Sequence, residues 1–313
     1  MIFSSKDAIY YLVNHLDQDD PATSSHWRKY HKDFKVADNL DISGIIGFGG
    51  NSKQYKGLKK WIHLGFQARY RVLGKVFSYF NDIDAIALKM TQMQGRAYDL
   101  DVLRQTLSLS FLMDNLKWNP LDTKDKTVAV IGDGFASMSL LLLLSGFAKK
   151  VILVNLSKTL LVDLILLNKY FDQDSSKTFT LITNKEDIPH TENADLVAIQ
   201  ATNHELLRSF PIDLFINIAS MQEMNPDTIS SYFSDFRVVA NKRDSYFYCC
   251  NRIEKTFPEG TTVRFNNYPW KDSDIILLDE LCPWHQQYYS IIPPFYHPYD
   301  GPIQHRFVKL SGD

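Results

Sequence analysis

The chain has 313 residues, a net charge of −2 and 22% charged residues, a balance typical of a globular protein. A charge so near zero gives no electrostatic reason to expect nucleic acid or an acidic membrane surface as a partner. The N-terminal segment lacks the pattern of a signal peptide, so we expect a cytoplasmic protein.

Residues 1–120 are predicted to form a helical N-terminal cap or lid region without strands. Residues 1–16 have helical periodicity, with Ser4 and Asp7 placed as a capping box. Residues 17–60 show no sustained period, and their aromatic side chains favour an ordered lid over disorder. Helical patterns return in WIHLGFQARYRVLGKVFSYF and in DLDVLRQTLSLSFLMDNL.

Residues 121–313 change to alternating strands and helices and then to a β-rich C-terminal segment. The predicted strands are Thr127–Ile131, Val151–Asn155, Leu196–Ala201, Leu214–Ile218 and Tyr246–Cys250, with a possible extra strand at 179–183. The predicted helices are 137–147, 158–171 and 225–236. Continuous apolar strands in this order predict an α/β fold with a doubly wound, Rossmann-like sheet.

The cysteines give no sign of a metal site. Cys249, Cys250 and Cys282 are the only cysteines, and none has the spacing of metal ligands. No metal is therefore assigned, and a reducing compartment fits best.

A glycine loop follows the first strand of the predicted sheet. Ligands of open α/β sheets lie beyond the carboxyl ends of the strands, where Gly132, Asp133, Gly134, Phe135 and Ala136 follow Ile131. The next helix would direct its N-terminal amides at the ligand. The third glycine of the dinucleotide pattern is absent, so a tight turn without a ligand is the alternative.

Two further strand ends carry polar residues. The second strand ends at Asn155, where nucleotide-binding folds usually place an acid that holds the ribose. A later strand runs into Asn217, Ser220, Gln222 and Glu223, which would face the reacting end of a cofactor. Glu223 could complement a cationic ligand or act as a base, or it could cap the next helix together with Ser220.

The segments VIGDGFAS, ILVNLSKTL, DLFINIASMQEMNPDTISSYF and YFYCCNR together resemble the sugar O-methyltransferase family. The resemblance implies a class I methyltransferase that uses S-adenosylmethionine as its cofactor. It implies cofactor-binding roles for the glycine loop (Gly132, Asp133, Gly134, Phe135, Ala136), for Asn155 and Leu156 at ribose and adenine, for Gln200 and Ala201 at the adenine edge, and for Asn217, Ala219 and Ser220 around the sulfonium. Val130 and Asn155 depart from the family, because each stands where an acid is usual.

The implied reaction is in-line methyl transfer to a hydroxyl of a sugar-like small molecule, with the oligomeric state open. A sugar hydroxyl is a poor nucleophile, so a base is expected, with Glu223 and His204 as the main candidates. Further base candidates are His285 and His297, and the aromatic residues that could stack on a sugar are Trp27, Tyr246, Trp284 and Tyr296.

Two other functions stay open from the residues. Asn155, Ser157 and Lys158 could accommodate a 2′-phosphate, which would suit an NADP-dependent oxidoreductase. The two missing acids would also suit a methyltransferase-like protein that binds a partner and no longer catalyses.

Overall fold

The computed structural model describes residues 2–16, 23–37, 40–44, 53–116, 118, 125–173 and 176–312. Of the lid predicted at 17–60, residues 17–22, 38–39 and 45–52, which include Phe48, lie outside the described residues. Among the described residues, no helix is both long and apolar enough to cross a membrane.

Helices occupy both halves of the chain. The α-helices are α1 (Ser5–Asn14), α2 (Ser25–Tyr30), α3 (Gly57–Gly74), α4 (Phe80–Met93), α5 (Leu100–Leu116), α6 (Ser137–Leu144), α7 (Ser157–Phe171) and α8 (Pro226–Ala240). Short 3-10 helices span His31–Asp33, Lys185–Thr191, Ala201–Ser209, Met221–Glu223 and Phe265–Asn267.

The strands concentrate after residue 125. They are β1 (Ile2–Ser4), β2 (Lys35–Val36), β3 (Ile42–Ser43), β4 (Thr127–Ile131), β5 (Lys150–Asn155), β6 (Phe179–Ile182), β7 (Leu196–Gln200), β8 (Leu214–Ile218), β9 (Tyr246–Arg252), β10 (Glu254–Thr256), β11 (Thr262–Arg264), β12 (Ile275–Leu281), β13 (Gln287–Tyr289), β14 (Tyr296–Pro298) and β15 (Ile303–Lys309).

Nine of the described strands form one sheet in the order β1-β6-β7-β5-β4-β8-β9-β15-β12. The strands from β6 to β9 in this order are parallel, and β15 runs antiparallel between β9 and β12. From β4 the chain continues to β5 on one side and returns to β8 on the other. The strand order therefore reverses at β4, where a doubly wound sheet binds its ligand.

Each face of the sheet is covered by its own hydrophobic core. Along β4, Val128 and Val130 pack into one core with α1 and α4–α7, while Ala129 and Ile131 pack into the other with α8. Burial on both faces explains why β4 is apolar at every position after Thr127. The prediction of a doubly wound, Rossmann-like α/β fold is confirmed.

The prediction that the N-terminal region lacks strands is wrong. Ile2–Ser4 forms β1, which pairs antiparallel with β6 at one edge of the main sheet. Ser4 precedes α1 but makes no side-chain capping bond, so the capping box with Asp7 is not formed. Pairing with β6 gives these residues hydrogen bonds that helical periodicity in one sequence does not predict.

The helical pattern predicted at 61–80 corresponds to α3 and to the first residue of α4. α3 ends at Gly74, where a Cβ atom would lie 2.4 Å from the ring of Phe80, the first residue of α4. The β-rich C-terminal segment is present as β10–β15. Buried residues of α1, α4 and α5 belong to the same core as α6 and α7, so this core is continuous across residue 120.

Candidate functional site

One cavity lies at the carboxyl ends of β4, β5 and β8, at the reversal of strand order. Its walls include ten residues that the sequence analysis predicted: Gly132, Asp133, Gly134, Phe135, Asn155, Leu156, Ala201, Ala219, Ser220 and Glu223. Ala136, Gln200, Asn217 and His204 are not part of its lining. The cavity also contacts residues from α2, α5 and the C-terminal segment that the sequence analysis did not assign to the cofactor.

The glycine loop after β4 has a left-handed backbone. The φ angles are +72° at Gly132, +69° at Gly134, +63° at Phe135 and +50° at Ala136. A Cβ at Gly132 would lie 2.0 Å from the hydroxyl oxygen of Ser220, so glycine is required where the two loops meet. Left-handed non-glycine residues cost about 1–3 kcal/mol each, so neighbouring groups must hold Phe135 and Ala136 in place.

Asp133 occupies the N-terminus of α6. Its two carboxylate oxygens accept hydrogen bonds from the backbone N–H groups of Met138 (2.9 Å) and Ser139 (2.7 Å). The expectation that these amides point at a ligand is therefore wrong, because a side chain of the loop already takes them. Burial raises the pKa of Asp133, and the hydrogen bonds from Ser139 oppose this rise.

Asp163 of α7 holds the glycine loop against the end of β5. One oxygen accepts the N–H of Ala136 at 2.9 Å, and the other accepts the side-chain amide of Asn155 at 2.8 Å. The carboxylate is fully buried, and this burial, with the nearby charge of Asp133, raises its pKa well above the usual range. Asp163 was missed because a single Asp in LLVDLILL gives no sign of a partner.

The side chain of Asn155 is turned toward protein groups. Its amide nitrogen donates to Asp163, and its oxygen accepts the N–H of Leu156 at 2.9 Å. Asn155 still lines the cavity, but its carboxamide is directed to these partners, where the sequence analysis expected it to contact a ribose. Asp163 supplies a carboxyl group next to Asn155 but is not part of the cavity lining.

Arg96 is a second cavity residue that the sequence analysis missed. It is 7% exposed, and its guanidinium donates to Gln94 and Ser137, each at 2.7 Å. Its third nitrogen, Nη1, has no hydrogen-bond partner among the described residues. The guanidinium also lies 5.8 Å from the ring centre of Phe135, so a buried cation with a free donor stands beside the glycine loop.

Asn217 and Gln200 stabilise the loops from behind the cavity. Asn217 donates to the carbonyl of Ile131 at 2.8 Å and accepts the N–H of Met221 at 3.0 Å. Gln200 donates to the hydroxyl of Ser157 at 2.9 Å. These hydrogen bonds join β8 to β4 and β7 to α7.

Glu223 connects the cavity to the N-terminal helix α2. Its Oε1 accepts a hydrogen bond from Lys255 at 2.7 Å and lies 3.3 Å from the imidazole of His26. These two groups lower the pKa of Glu223 despite burial, so the carboxylate is ionised at neutral pH. We call Glu223, His26 and Lys255 the Glu223 cluster. Trp27, the residue after His26 in α2, lines the cavity, so this cluster holds one wall of the cavity in place.

Five of the predicted histidine and aromatic residues are not part of the cavity lining. His204 is bonded through Nδ1 to Asp235, with its ring 4.7 Å from that of Tyr232. His297 stacks on Tyr288 at 5.0 Å. The remaining aromatic candidates, Tyr246, Trp284 and Tyr296, are not part of the cavity lining.

His285 is the exception among the histidines of the C-terminal segment. It lines the cavity, is 4% exposed, and burial holds its pKa well below the usual range. Tyr299, which the sequence analysis did not select, lines the cavity beside it, with Arg104 and Arg252 5.0 and 5.2 Å from its ring centre.

No protein-family model and no curated protein sequence matches the chain. Solved structures with partial similarity include the methyltransferase TrmK of M. capricolum in complex with S-adenosyl-homocysteine, with TM-score 0.37 and 12% identity over 60% of this chain and 63% of that one. A putative RNA methyltransferase from Pyrococcus horikoshii matches with TM-score 0.37 and 14% identity over 66% of this chain and 84% of that one. The mitomycin 7-O-methyltransferase MmcR matches with TM-score 0.35 and 9% identity over 67% of this chain and 57% of that one.

The match spans less than two thirds of TrmK and of MmcR. Similarity at this level does not decide a function, so the functional argument depends on the residues of the cavity.

Exchanging Asn155 and Asp163 tests the bond that holds the loop. Asn155→Asp alone places two carboxylates at the 2.8 Å contact, and we expect a loss of about 1–3 kcal/mol in the free energy of unfolding at neutral pH. Asn155→Asp combined with Asp163→Asn restores each hydrogen bond with the roles reversed. We expect urea unfolding to show the double variant within about 1 kcal/mol of the wild type.

The deficit of the single variant should also shrink in acid, because protonating one carboxylate restores a donor between the two side chains. A carboxyl group of this pair has a raised pKa in the folded variant. The stability that its proton provides is therefore present at low pH and lost as the pH rises through the folded pKa. A double variant no more stable than Asn155→Asp would contradict this account of the loop.

Glu223→Gln tests the attachment of α2. Because Glu223 has a lowered pKa, its contribution is present above the unfolded pKa and is lost as the pH falls through the folded pKa. We expect Glu223→Gln to lower the free energy of unfolding by about 1–3 kcal/mol at neutral pH, and the difference to vanish in acid.

The matched control is Glu254→Gln on the adjacent strand β10, whose exposed pair with Arg264 should contribute at most about 1 kcal/mol. Equal effects of the two substitutions, or a Glu223 effect independent of pH, would show that the buried cluster does not hold α2.

Proposed function

We propose that this chain is an S-adenosylmethionine-dependent O-methyltransferase that acts on a hydroxyl of a sugar or sugar-derived small molecule. The observation that carries the proposal is the carboxylate of Asp133 on the N-terminal amides of α6. It discriminates between the two kinds of cofactor that a sheet with a glycine loop could bind.

A dinucleotide places its pyrophosphate on the amides at the N-terminus of the helix that follows the first strand. Here the N–H groups of Met138 and Ser139 already donate to Asp133, and a phosphate would also meet the negative charge of that carboxylate. S-adenosylmethionine has no phosphate and carries a sulfonium cation, so it escapes both penalties. Asp133 therefore supports S-adenosylmethionine over NADP.

Arg96 gives the second argument for this cofactor. Its buried Nη1 has no partner among the described residues and lies beside Phe135 and Ser137, next to the loop that would hold the methionine part. The methionine part ends in a carboxylate, which a guanidinium binds through charge-assisted hydrogen bonds. The residues present thus fit the cofactor, with Arg96 on its carboxylate and Asn155 and Leu156 near its ribose and adenine.

The cofactor supplies an activated methyl group, and the chain aligns the acceptor with it. The residues of this chain would orient the acceptor hydroxyl toward that methyl group and take up the hydroxyl proton. Glu223 lines the cavity as an ionised carboxylate and is our proposed proton acceptor, whereas His204 is bonded to Asp235 outside the lining. The lowered pKa of Glu223 makes it a weak base, so alignment carries most of the acceleration.

The proposed sugar-like acceptor is supported by two kinds of group in the cavity lining. These are the aromatic surface of Trp27 and the uncharged polar residues Gln105 and Gln222. A sugar presents an apolar face and several hydroxyls, so it can use both kinds of surface. The described cysteines are all free and buried, which suits a reducing compartment such as the cytoplasm.

Titration calorimetry of the full chain with S-adenosylhomocysteine and NADPH tests the cofactor. We expect saturable binding of S-adenosylhomocysteine below about 1 mM, and no heat of binding from NADPH. NADPH binding without S-adenosylhomocysteine binding would establish the oxidoreductase alternative. If neither ligand binds, the remaining alternative is a methyltransferase-like protein that binds a partner and no longer catalyses.

Arg96→Met tests the assignment of the methionine carboxylate. The substitution removes a charge-assisted hydrogen bond, so we expect binding of S-adenosylhomocysteine to weaken about 10–100-fold. Binding of 5′-methylthioadenosine, which lacks the carboxylate, should change by less than about 3-fold, since Arg96 would not contact it. Equal weakening of both ligands would show that Arg96 supports the loop and does not bind the carboxylate.

A further inference from the structure

Three possible metal ligands meet on the side of the cavity formed by the C-terminal segment. The Sγ atoms of Cys250 and Cys282 and a ring nitrogen of His285 all lie within 4.8 Å of one another, and all three residues are buried. The sequence analysis assigned no metal, because none of the cysteines has the sequence spacing of metal ligands. Sequence spacing did not reveal the group because its members come from β9 and from the turn after β12.

The sheet itself brings these residues together. Cys250 lies on β9 opposite His305 of β15, and the N–H of Cys282 donates to Ile303 of β15 at 2.9 Å. The turn after β12 then brings His285 back, with its N–H bonded to the carbonyl of Cys282 at 3.1 Å. Backbone hydrogen bonds thus fix the position of each ligand.

The described residues leave the imidazole of His285 free for a ligand. Neither of its ring nitrogens has a hydrogen-bond partner among the described residues, although the residue is only 4% exposed. A buried polar group without a partner costs about 1–3 kcal/mol, so such groups in native proteins usually serve a ligand or a reaction. His285 also lines the cavity, whereas the two cysteines lie behind it.

We propose that Cys250, Cys282 and His285 bind a Zn²⁺ ion through two thiolates and one imidazole nitrogen, with a fourth position open toward the cavity. Sulfur and imidazole ligands in a tetrahedral arrangement select zinc, and three protein ligands with one open position are typical of an accessible zinc ion. Binding displaces one proton from each thiol. The fourth ligand is a water molecule or an oxygen of the bound substrate.

The charges around the site are compatible with this ion. Two thiolates neutralise Zn²⁺, so the buried complex carries no net charge. The nearby cation, Arg104, is bonded to Asp101 at 3.0 Å and donates to the carbonyls of Trp284 and Gln287 at 3.2 and 2.6 Å. Zinc bonds of about 2.0–2.3 Å require the three ligand atoms to approach by on the order of 1 Å, which side-chain rotation can supply.

The experiment uses the full chain, purified without a histidine tag, and Zn²⁺ or Co²⁺ as the probe. We expect about one zinc per chain by elemental analysis, or one equivalent taken up after purification. With Co²⁺ in place of zinc we expect the near-ultraviolet thiolate-to-cobalt absorption of a cysteine-ligated site. Release of two protons per ion at a pH where both thiols are protonated would support the ligand set.

The adjacent residue Cys249 provides a matched control. Cys249 and Cys250 are both fully buried on β9 but face opposite cores of the sheet. Loss of a residue that only hydrogen-bonds to a metal ligand weakens metal binding roughly 10–100-fold. We expect a larger loss of zinc affinity in each of the variants Cys250→Ala, Cys282→Ala and His285→Leu. Cys249→Ala should leave zinc binding and the cobalt spectrum unchanged, and thermal unfolding of each variant shows that it folds.

Substoichiometric zinc together with no cobalt–thiolate absorption would overturn the proposal. A disulfide between Cys250 and Cys282 in the native chain, found by mass spectrometry, would overturn it as well. So would a loss of zinc in Cys249→Ala equal to that in Cys250→Ala. None of these measurements involves S-adenosylhomocysteine, so the zinc site and the proposed methyltransferase function stand or fall separately.

Discussion

The fully buried carboxylate of Asp163 is the constraint on which the cavity depends. It joins α7 to the backbone of Ala136 and to the side chain of Asn155, so the glycine loop and the end of β5 share one acceptor. Left-handed backbone at Phe135 and Ala136 persists only where such a contact holds it. The carboxylate is costly to bury, and the hydrogen bonds it accepts offset that cost.

The contacts of Asp163 bear on the absence of an acid at Val130 and at Asn155. Acidic side chains are not absent from the site, because Asp133 and Asp163 both lie behind the loop. Burial lowers the pKa of Arg96, and Asp99, Asp133 and Asp163 oppose that effect. The carboxyl groups of Asp133 and Asp163 hold the loop through hydrogen bonds from backbone N–H groups. Val130, where the sequence resemblance led us to expect an acid, is 2% exposed and packs in the core with Val128, so an acid there would be buried in an apolar environment.

Much of the sheet could be predicted from the sequence, and the side-chain contacts of the site could not. Thr127–Ile131 and Leu214–Ile218 match their predicted bounds because strands buried on both faces are continuous apolar runs. The place of the cavity followed from strand order alone. Asp163, Arg96 and the approach of Cys250 to Cys282 depend on packing between distant segments, and β1 depends on a partner strand, β6, far along the chain.

The walls of the cavity come from three separate parts of the chain. The groups that would bind the cofactor are therefore separate from those that would bind the acceptor. The loops after β4 and β5 would determine which cofactor fits, and they are held by Asp163. Other parts of the wall come from α2, α5 and the C-terminal segment, through Trp27, Gln105 and His285. Because α2 is attached through Glu223 and Lys255, whereas the glycine loop depends on Asp163, we expect a change at α2 to leave the glycine loop intact.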